Sequence, residues 1–396
     1  MKYAILIADG MADEPLKKLK GRTPLEVAET PNMDFIAKNG RTGMVRTIPS
    51  AFPPGSDIAS ISIFGYDPQK YYTGRGPLEA ANMGVKLKRD DVAFRCNLVT
   101  IKEGIMDDFT AGHIADAEAK ELIKHLDKKL GTAKIRFFPG VSYRHLTVIK
   151  GGPEEAKCVP PHDITGRPIA AYLPKGKDAE ILRDIMKNSV PFLSGHQVNK
   201  LRMASGKKMA NMIWLWGQGK APRMPLFKKK YGLIGGVITA VNLIKGLGRV
   251  VGMDVIDVPG ATGFYDTNYV GKANYALRSL RKNDLVIVHV EATDEAGHMG
   301  DIKEKIKAIE NFDTFIVGTM LRGLKRFHKF RILIMPDHPT PIAIKTHSSD
   351  PVPFAIYGSG VKSDKVEVYT EKAVRRSKLR VNKGYNLMDL FLKKVI

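Results

Sequence analysis

The chain has little cysteine: Cys96 and Cys158 are the only two in 396 residues, far apart and outside any C-x-x-C spacing. That excludes a disulfide framework and a zinc knuckle, and it fits a reducing compartment; we expect a cytoplasmic protein. Long apolar runs are missing too. The longest window, GLIGGVITAVNLI at 232 to 244, falls short of the roughly 18 to 20 residues that a membrane span needs, so no membrane partner is expected. The N-terminal MKYAILIADG has one lysine and a short apolar run before Asp9, with no small-residue cleavage site, unlike a signal peptide. Nucleotide signatures are absent: no G-x-x-x-x-G-K-[ST] occurs, and GLGRVVG at 246 to 252 misses the dinucleotide fingerprint by one residue and follows a helix-like run. It reads as a helix end and a turn, and neither ATP nor NAD is expected. No G-x-S-x-G elbow points to a serine–histidine hydrolase.

Acidic residues are also in short supply. Against 63 Lys and Arg stand 41 Asp and Glu, a net charge of +22. Such a balance suggests nucleic acid, yet the basic clusters KKLK, KKK and RRSKLR lie apart, without interleaved aromatics or a DNA-binding motif. A lysine-rich solvated surface is the preferred reading over a nucleic-acid partner, and a basic protein also attracts small phosphorylated anions.

What is present is an ordinary globular composition, 43% hydrophobic and 26% charged, in a chain long enough for two compact units. Strand-length, β-rich runs occur at YAILIA, LVIVHV, RILIM and PFAIYG. Between them lie helical stretches such as DIKEKIKAIENFDTFIVGTMLRGLKRF, where Ile302, Ile306, Ile309, Phe312, Phe315 and Ile316 recur at helical spacing. Alternating strands and helices argue for a doubly wound, mainly parallel α/β sheet. From about 83 to 230 the pattern is mixed and ends in GKAPRMPLFKKKYG, a linker-like run. We therefore expect a core made of 1–82 and 231–396, with a smaller domain, 83–230, inserted between them.

In doubly wound sheets ligands bind beyond the carboxyl ends of the strands. Three of the runs empty into Asp9, into EATDEAGH and into PDH. Asp294 and His298 are four apart, so on a helical turn they point the same way, as paired metal ligands do. Asp337 and His338 are adjacent in a loop, and His347 precedes another strand-like run. Each signal alone is weak. Together, Asp9, Asp294, His298, Asp337, His338 and His347 form a mixed O/N set that suits two cations such as Mn²⁺, Zn²⁺ or Co²⁺, and Mg²⁺ less well. Two metals of this kind serve phosphoryl transfer. In that setting Ser56 of FPPGSDIAS is either a helix N-cap or a nucleophile activated by a metal, and the two roles are compatible.

ADGMAD, PPGSDIASISIFGYD, YYTGRGPLEAA, VAFRCNLVT, NMIWLWGQG, GATGFYDTNYVGKA, HVEATDEAGH, PDHPTPI and KTHSSDPVP run in one order over nearly the whole chain. Together they resemble the archaeal-type 2,3-bisphosphoglycerate-independent phosphoglycerate mutases of the alkaline phosphatase superfamily. The resemblance implies an alkaline phosphatase-like core with an inserted smaller α/β domain, and interconversion of 3-phosphoglycerate and 2-phosphoglycerate with two divalent metals and no 2,3-bisphosphoglycerate. It implies Ser56 as nucleophile, with Asp9, Ser56, Asp337 and His338 on one metal and Asp294, His298 and His347 on the other.

The inserted domain would act as a lid that excludes water. Its polar candidates are Arg144, His162, Arg202, Lys220 and Arg223 for substrate, with Asp163 or His145 as general base. Lys272 follows Asn268 by about one turn, where the bacterial and plant branch carries a phosphate-binding lysine earlier; it is a further substrate candidate. A metal-dependent phosphatase, phosphodiesterase or phosphopentomutase would share the same ligands, and homo-oligomerisation stays open.

Overall fold

The structure is a computed structural model and describes residues 1–395. The chain divides into two compact units, one formed by Met1–Tyr72 with Met224–Ile396, the other by Thr73–Arg223. Both boundaries fall earlier than the expected 83 and 230, at Thr73 and Arg223. Helix Arg75–Asn82 packs on strands Asp91–Lys102 and Met212–Gly219 and so belongs to the second unit. The run after Arg223 is no free linker: Tyr66 Oη donates to the Pro225 carbonyl and Phe227 is buried, which ties it to the first unit.

The first unit holds an eight-stranded sheet in the order Arg380–Val381, Arg41–Val45, Val352–Gly358, Phe330–Met335, Lys2–Ala8, Leu285–Val290, Gly235–Ile238, Asp254–Val255. It is mainly parallel, as expected; only Val352–Gly358 runs antiparallel to its neighbours. Ala4 to Ala8 are all buried, which is why this strand reads as an unbroken apolar run instead of an alternating one. Burying each such Ile or Leu stabilises by about 1.5–3 kcal/mol. The expected long helix is Ile302–Asn311, then one π-helical stretch Phe312–Val317, then Gly318–Leu324. Among the described residues no helix is long and apolar enough to cross a membrane.

The second unit is built on a five-stranded sheet, with Ile105–Asp108, Asp91–Lys102, Arg144–Lys150 and Ile135–Val141 in order and Met212–Gly219 on the other edge of Asp91–Lys102. All its pairings are antiparallel. Helices Asp116–Leu130 and Glu180–Ser194 close its core around Phe94, Leu122, Met186 and Trp214.

Candidate active site

Three neighbouring parallel strands of the first unit deliver the ligand-type side chains. Lys2–Ala8 is followed by Asp9, Leu285–Val290 by Glu291 and the helix Ala292–Met299, and Phe330–Met335 by Asp337 and His338. Because these strands are adjacent and parallel, their carboxyl ends meet at one edge. One helical turn brings Asp294 Oδ2 within 3.1 Å of His298 Nε2. His347 Nε2 lies 3.0 Å from His298 Nε2 and 3.4 Å from Asp294 Oδ1. Around His338 Nε2 stand Ser56 Oγ at 3.0 Å, Asp9 Oδ1 at 3.4 Å and Asp337 Oδ2 at 3.5 Å.

Ser56 opens the helix Ser56–Ile63, but the N-cap is Gly55 and Ser56 makes no capping bond. Its hydroxyl instead donates to His338 Nε2. Of the two roles open in the sequence, the cap is thus not the one its side chain takes. His338 Nδ1 lies 3.3 Å from the Pro339 carbonyl, so that an N–H there leaves Nε2 as the acceptor. Burial lowers the pKa of this ring and favours its neutral form.

The electrostatics are unbalanced. Burial, with the charges of Asp337 and Asp294, raises the Asp9 carboxyl well above the usual range. Asp9 Oδ1 and Asp337 Oδ2 are buried without a hydrogen-bond partner. Clustered carboxylates with orphaned oxygens, beside imidazole nitrogens, fit a divalent cation of the borderline kind. Among the described residues, three groups bring ligand atoms within 4.8 Å of one another: Asp294, His298 and His347; Asp9, Asp294 and His338; and Asp9, His289 and Asp337.

His289 was missed in the sequence. It sits inside the apolar run LVIVHV, where a lone polar residue on a doubly buried strand was the available signal. Lys272 corrects an expectation. Instead of an open phosphate contact it is fully buried, with Nζ 2.6 Å from Glu291 Oε2. Asn268 caps that helix, accepting from the Gly271 N–H at 2.8 Å.

In the second unit, His162 and Asp163 lie exposed on a short 3₁₀ turn, with Nε2 and Oδ1 3.6 Å apart. The His162 ring packs edge-on against Trp216. Arg95 stacks on Trp216 at 4.4 Å and pairs with Glu79, and Arg75 lies over the same indole at 5.7 Å. Neither arginine was singled out in the sequence, where a stacked guanidinium has no local signature. Arg144 is exposed beside Tyr143, Lys220 pairs with Glu154 at 2.7 Å, and Arg223 is exposed.

Two candidates are structural instead. Arg202 is buried, donating to the carbonyls of Ala111 and Lys208 and pairing with Glu118, so its donors are already engaged. His145 is buried, its Nδ1 accepts the Gly140 N–H at 3.0 Å, and burial pushes its pKa down to about 3. It is no poised base.

The architecture and the site define a doubly wound, mainly parallel α/β protein with carboxylates, imidazoles and a serine gathered at parallel strand ends. The family model described as 2,3-bisphosphoglycerate-independent phosphoglycerate mutase matches residues 37–199. A relative of that name from Methanothrix thermoacetophila is 54% identical over 99% of this chain and 100% of its own length, and one from Methanosarcina acetivorans is 52% identical over the same shares. Among solved structures, a protein from Pyrococcus horikoshii is similar at TM-score 0.84 and 34% identity, covering 99% of this chain and 96% of the other. The cofactor-independent phosphoglycerate mutase from Thermoplasma acidophilum follows at 0.68 and 29%, covering 99% of each. The chain belongs to the 2,3-bisphosphoglycerate-independent phosphoglycerate mutase family.

Proposed function

We propose that the chain interconverts 3-phosphoglycerate and 2-phosphoglycerate through a phosphoserine at Ser56, without 2,3-bisphosphoglycerate, and in the cytoplasm. Free Cys96 and Cys158 support the compartment. The observation that carries the reaction is the Ser56 hydroxyl donating to His338 Nε2 beside the orphaned oxygens of Asp9 and Asp337.

Two divalent cations belong to this reading. Asp9, Ser56, Asp337 and His338 would hold one, and Asp294, His298 and His347 the other; bound there, they lower the pKa of a hydroxyl and neutralise charge developing on phosphoryl oxygens. As the bond from Ser56 Oγ to phosphorus forms, the serine hydroxyl gives up its proton, the bond to one glycerate oxygen breaks and that oxygen takes up a proton. The reverse exchange returns the phosphoryl group to the other glycerate hydroxyl, which gives one up.

One acid–base group on the retained glycerate serves both steps. We assign it to Asp163, an exposed carboxylate with His162 at its side. Arg144, Lys220 and Arg223 suit an anionic substrate that carries both carboxylate and phosphate. The first helical turn after Gly55 favours a phosphoserine, since its N–H groups have no intrahelical partner.

An enolase-coupled assay on 3-phosphoglycerate, with manganese and without 2,3-bisphosphoglycerate, tests the reading. Formation of 2-phosphoglycerate supports it; release of free phosphate in its place would assign the site to a phosphatase.

A further inference from the structure

Behind the ligand cluster a chain of charged side chains runs into the core of the first unit. Lys272, on helix Tyr269–Ser279, has no exposed surface. Its Nζ donates to Glu291 Oε2 at 2.6 Å and to the His289 carbonyl at 3.1 Å. Glu291 Oε1 accepts from Thr239 Oγ1 at 2.9 Å and from the Ala240 N–H at 2.6 Å, and it lies 3.4 Å from His289 Nδ1. The other edge of the ring, Nε2, stands 3.4 Å from Asp9 Oδ2 and 3.7 Å from Asp337 Oδ2.

Stability is a poor reason for such an arrangement. A buried ion pair is often no better than apolar residues of the same volume, because desolvation offsets the attraction. Orientation is a better one. Asp337 Oδ1 is already held by the N–H groups of Gly10 at 3.1 Å and His338 at 2.9 Å. What remains is to fix the turn of the Asp9 carboxylate and to keep two crowded anions together. A ring within hydrogen-bond distance of a saturated glutamate on one side, and on the other facing both carboxylates with a buried Nε2 that has no hydrogen-bond partner of its own, can do both.

We infer that Lys272, Glu291 and His289 form a positioning chain: His289 presents Nε2 to Asp9 and Asp337 from the core side and keeps them turned toward the cation they share with Ser56 and His338. The inference rests on the proposed cation site. None of the three residues touches substrate; they act through the two carboxylates. Groups behind metal ligands typically set affinity by 10–100-fold.

The test is a cobalt(II) titration of the full-length, metal-free protein, read by calorimetry and by visible absorption. Glu291→Gln keeps the shape and removes the charge. It should weaken one of two cobalt equivalents by about 10–100-fold and alter its absorption band, with the stoichiometry and the other equivalent unchanged. Lys272→Met should do the same, and His289→Gln, whose amide keeps a donor, should retain more affinity than His289→Ala. Thermal unfolding of the metal-free variants identifies any that fail to fold, in which case the isosteric Glu291→Gln decides.

Wild-type affinity and spectrum in folded Glu291→Gln would overturn the inference while leaving the cation site standing. So would loss of a whole equivalent in His289→Ala with Glu291→Gln unaffected, since His289 would then be a ligand itself. Wild-type protein that binds no cobalt would overturn the cation reading as well as the chain built on it.

Discussion

The Ser56 hydroxyl donates to His338 Nε2 across 3.0 Å, joining the start of a helix to a loop 282 residues further along the chain. Local preference accounts for a serine at a helix start, but a cap would turn its oxygen toward the helix's own N–H groups. This one turns away from them, and the proposed reaction depends on that.

Ser56→Ala should abolish mutase turnover by more than about a thousandfold, as removal of a nucleophile does. Since the serine makes no capping bond, thermal unfolding of the metal-free variant should stay close to wild type. Turnover retained above a small fraction in the coupled assay would remove Ser56 from the nucleophile's role.

Cation uptake should release protons. The hydrogen bond to Asp294, above all, raises His298 to about 9 in the metal-free protein. At neutral pH the ring is therefore charged and must lose its proton before it can bind a metal. Affinity should accordingly rise with pH up to about 9, by up to about tenfold per unit from this group. Titrating manganese in two buffers of different ionisation enthalpy reads the proton directly, and identical heats in both would contradict it.

Arg202 and Arg144 should separate stability from substrate binding. Arg202→Ala removes a buried guanidinium that satisfies two carbonyls and Glu118. It should cost about 2–3 kcal/mol in denaturant unfolding, with the KM of the surviving enzyme little changed. Arg144→Ala, at an exposed position, should leave unfolding unchanged and raise KM by about tenfold or more. The opposite pattern would reassign the two residues.

Glu371 should make stability fall as pH rises. Burial pushes its carboxyl from 4.5 up to about 7, against the Thr23 hydroxyl and other donors that favour the charged form. The folded state then holds a proton that the unfolded chain has released, so the stabilisation is complete below about 4.5 and is lost as pH climbs through about 7. The loss amounts to about 3 kcal/mol. Denaturant unfolding of wild type and Glu371→Gln at pH 5 and pH 8 should show the decline in wild type alone.

Much of this was legible in the sequence, for reasons of pattern. YAILIA, LVIVHV and RILIM are near-continuous apolar runs of strand length, and strands buried on both faces read that way. Asp9, Asp294 and Asp337 lie in the segments that follow such runs, so their convergence followed from sheet topology. The helix Asp116–Leu130 carries the helical form of such a pattern, with Ala119, Leu122, Ile123 and Leu126 buried along one face.

What pattern does not carry is the direction in which a charged side chain turns. Lys272 and Arg202 look like solvent-facing cations in a chain of +22, yet each is buried against a carboxylate from a distant segment. Arg75 and Arg95 meet only because Trp216, well over a hundred residues later, brings an indole between them. The boundary at Thr73 escaped for a similar reason, since the helix Arg75–Asn82 owes its allegiance to strands that come later.

Asp9, Glu291 and Asp337 all issue from strands that are hydrogen-bonded neighbours. The spacing of the site is therefore borrowed from the backbone ladder, whose repeat of about 4.8 Å is the same for any sequence. Side chains can be exchanged widely around such a ruler without moving its marks. A protein that shares 34% of its residues with this chain still superposes at a TM-score of 0.84, and the part of the fold that measures out the site is made of atoms that every residue has.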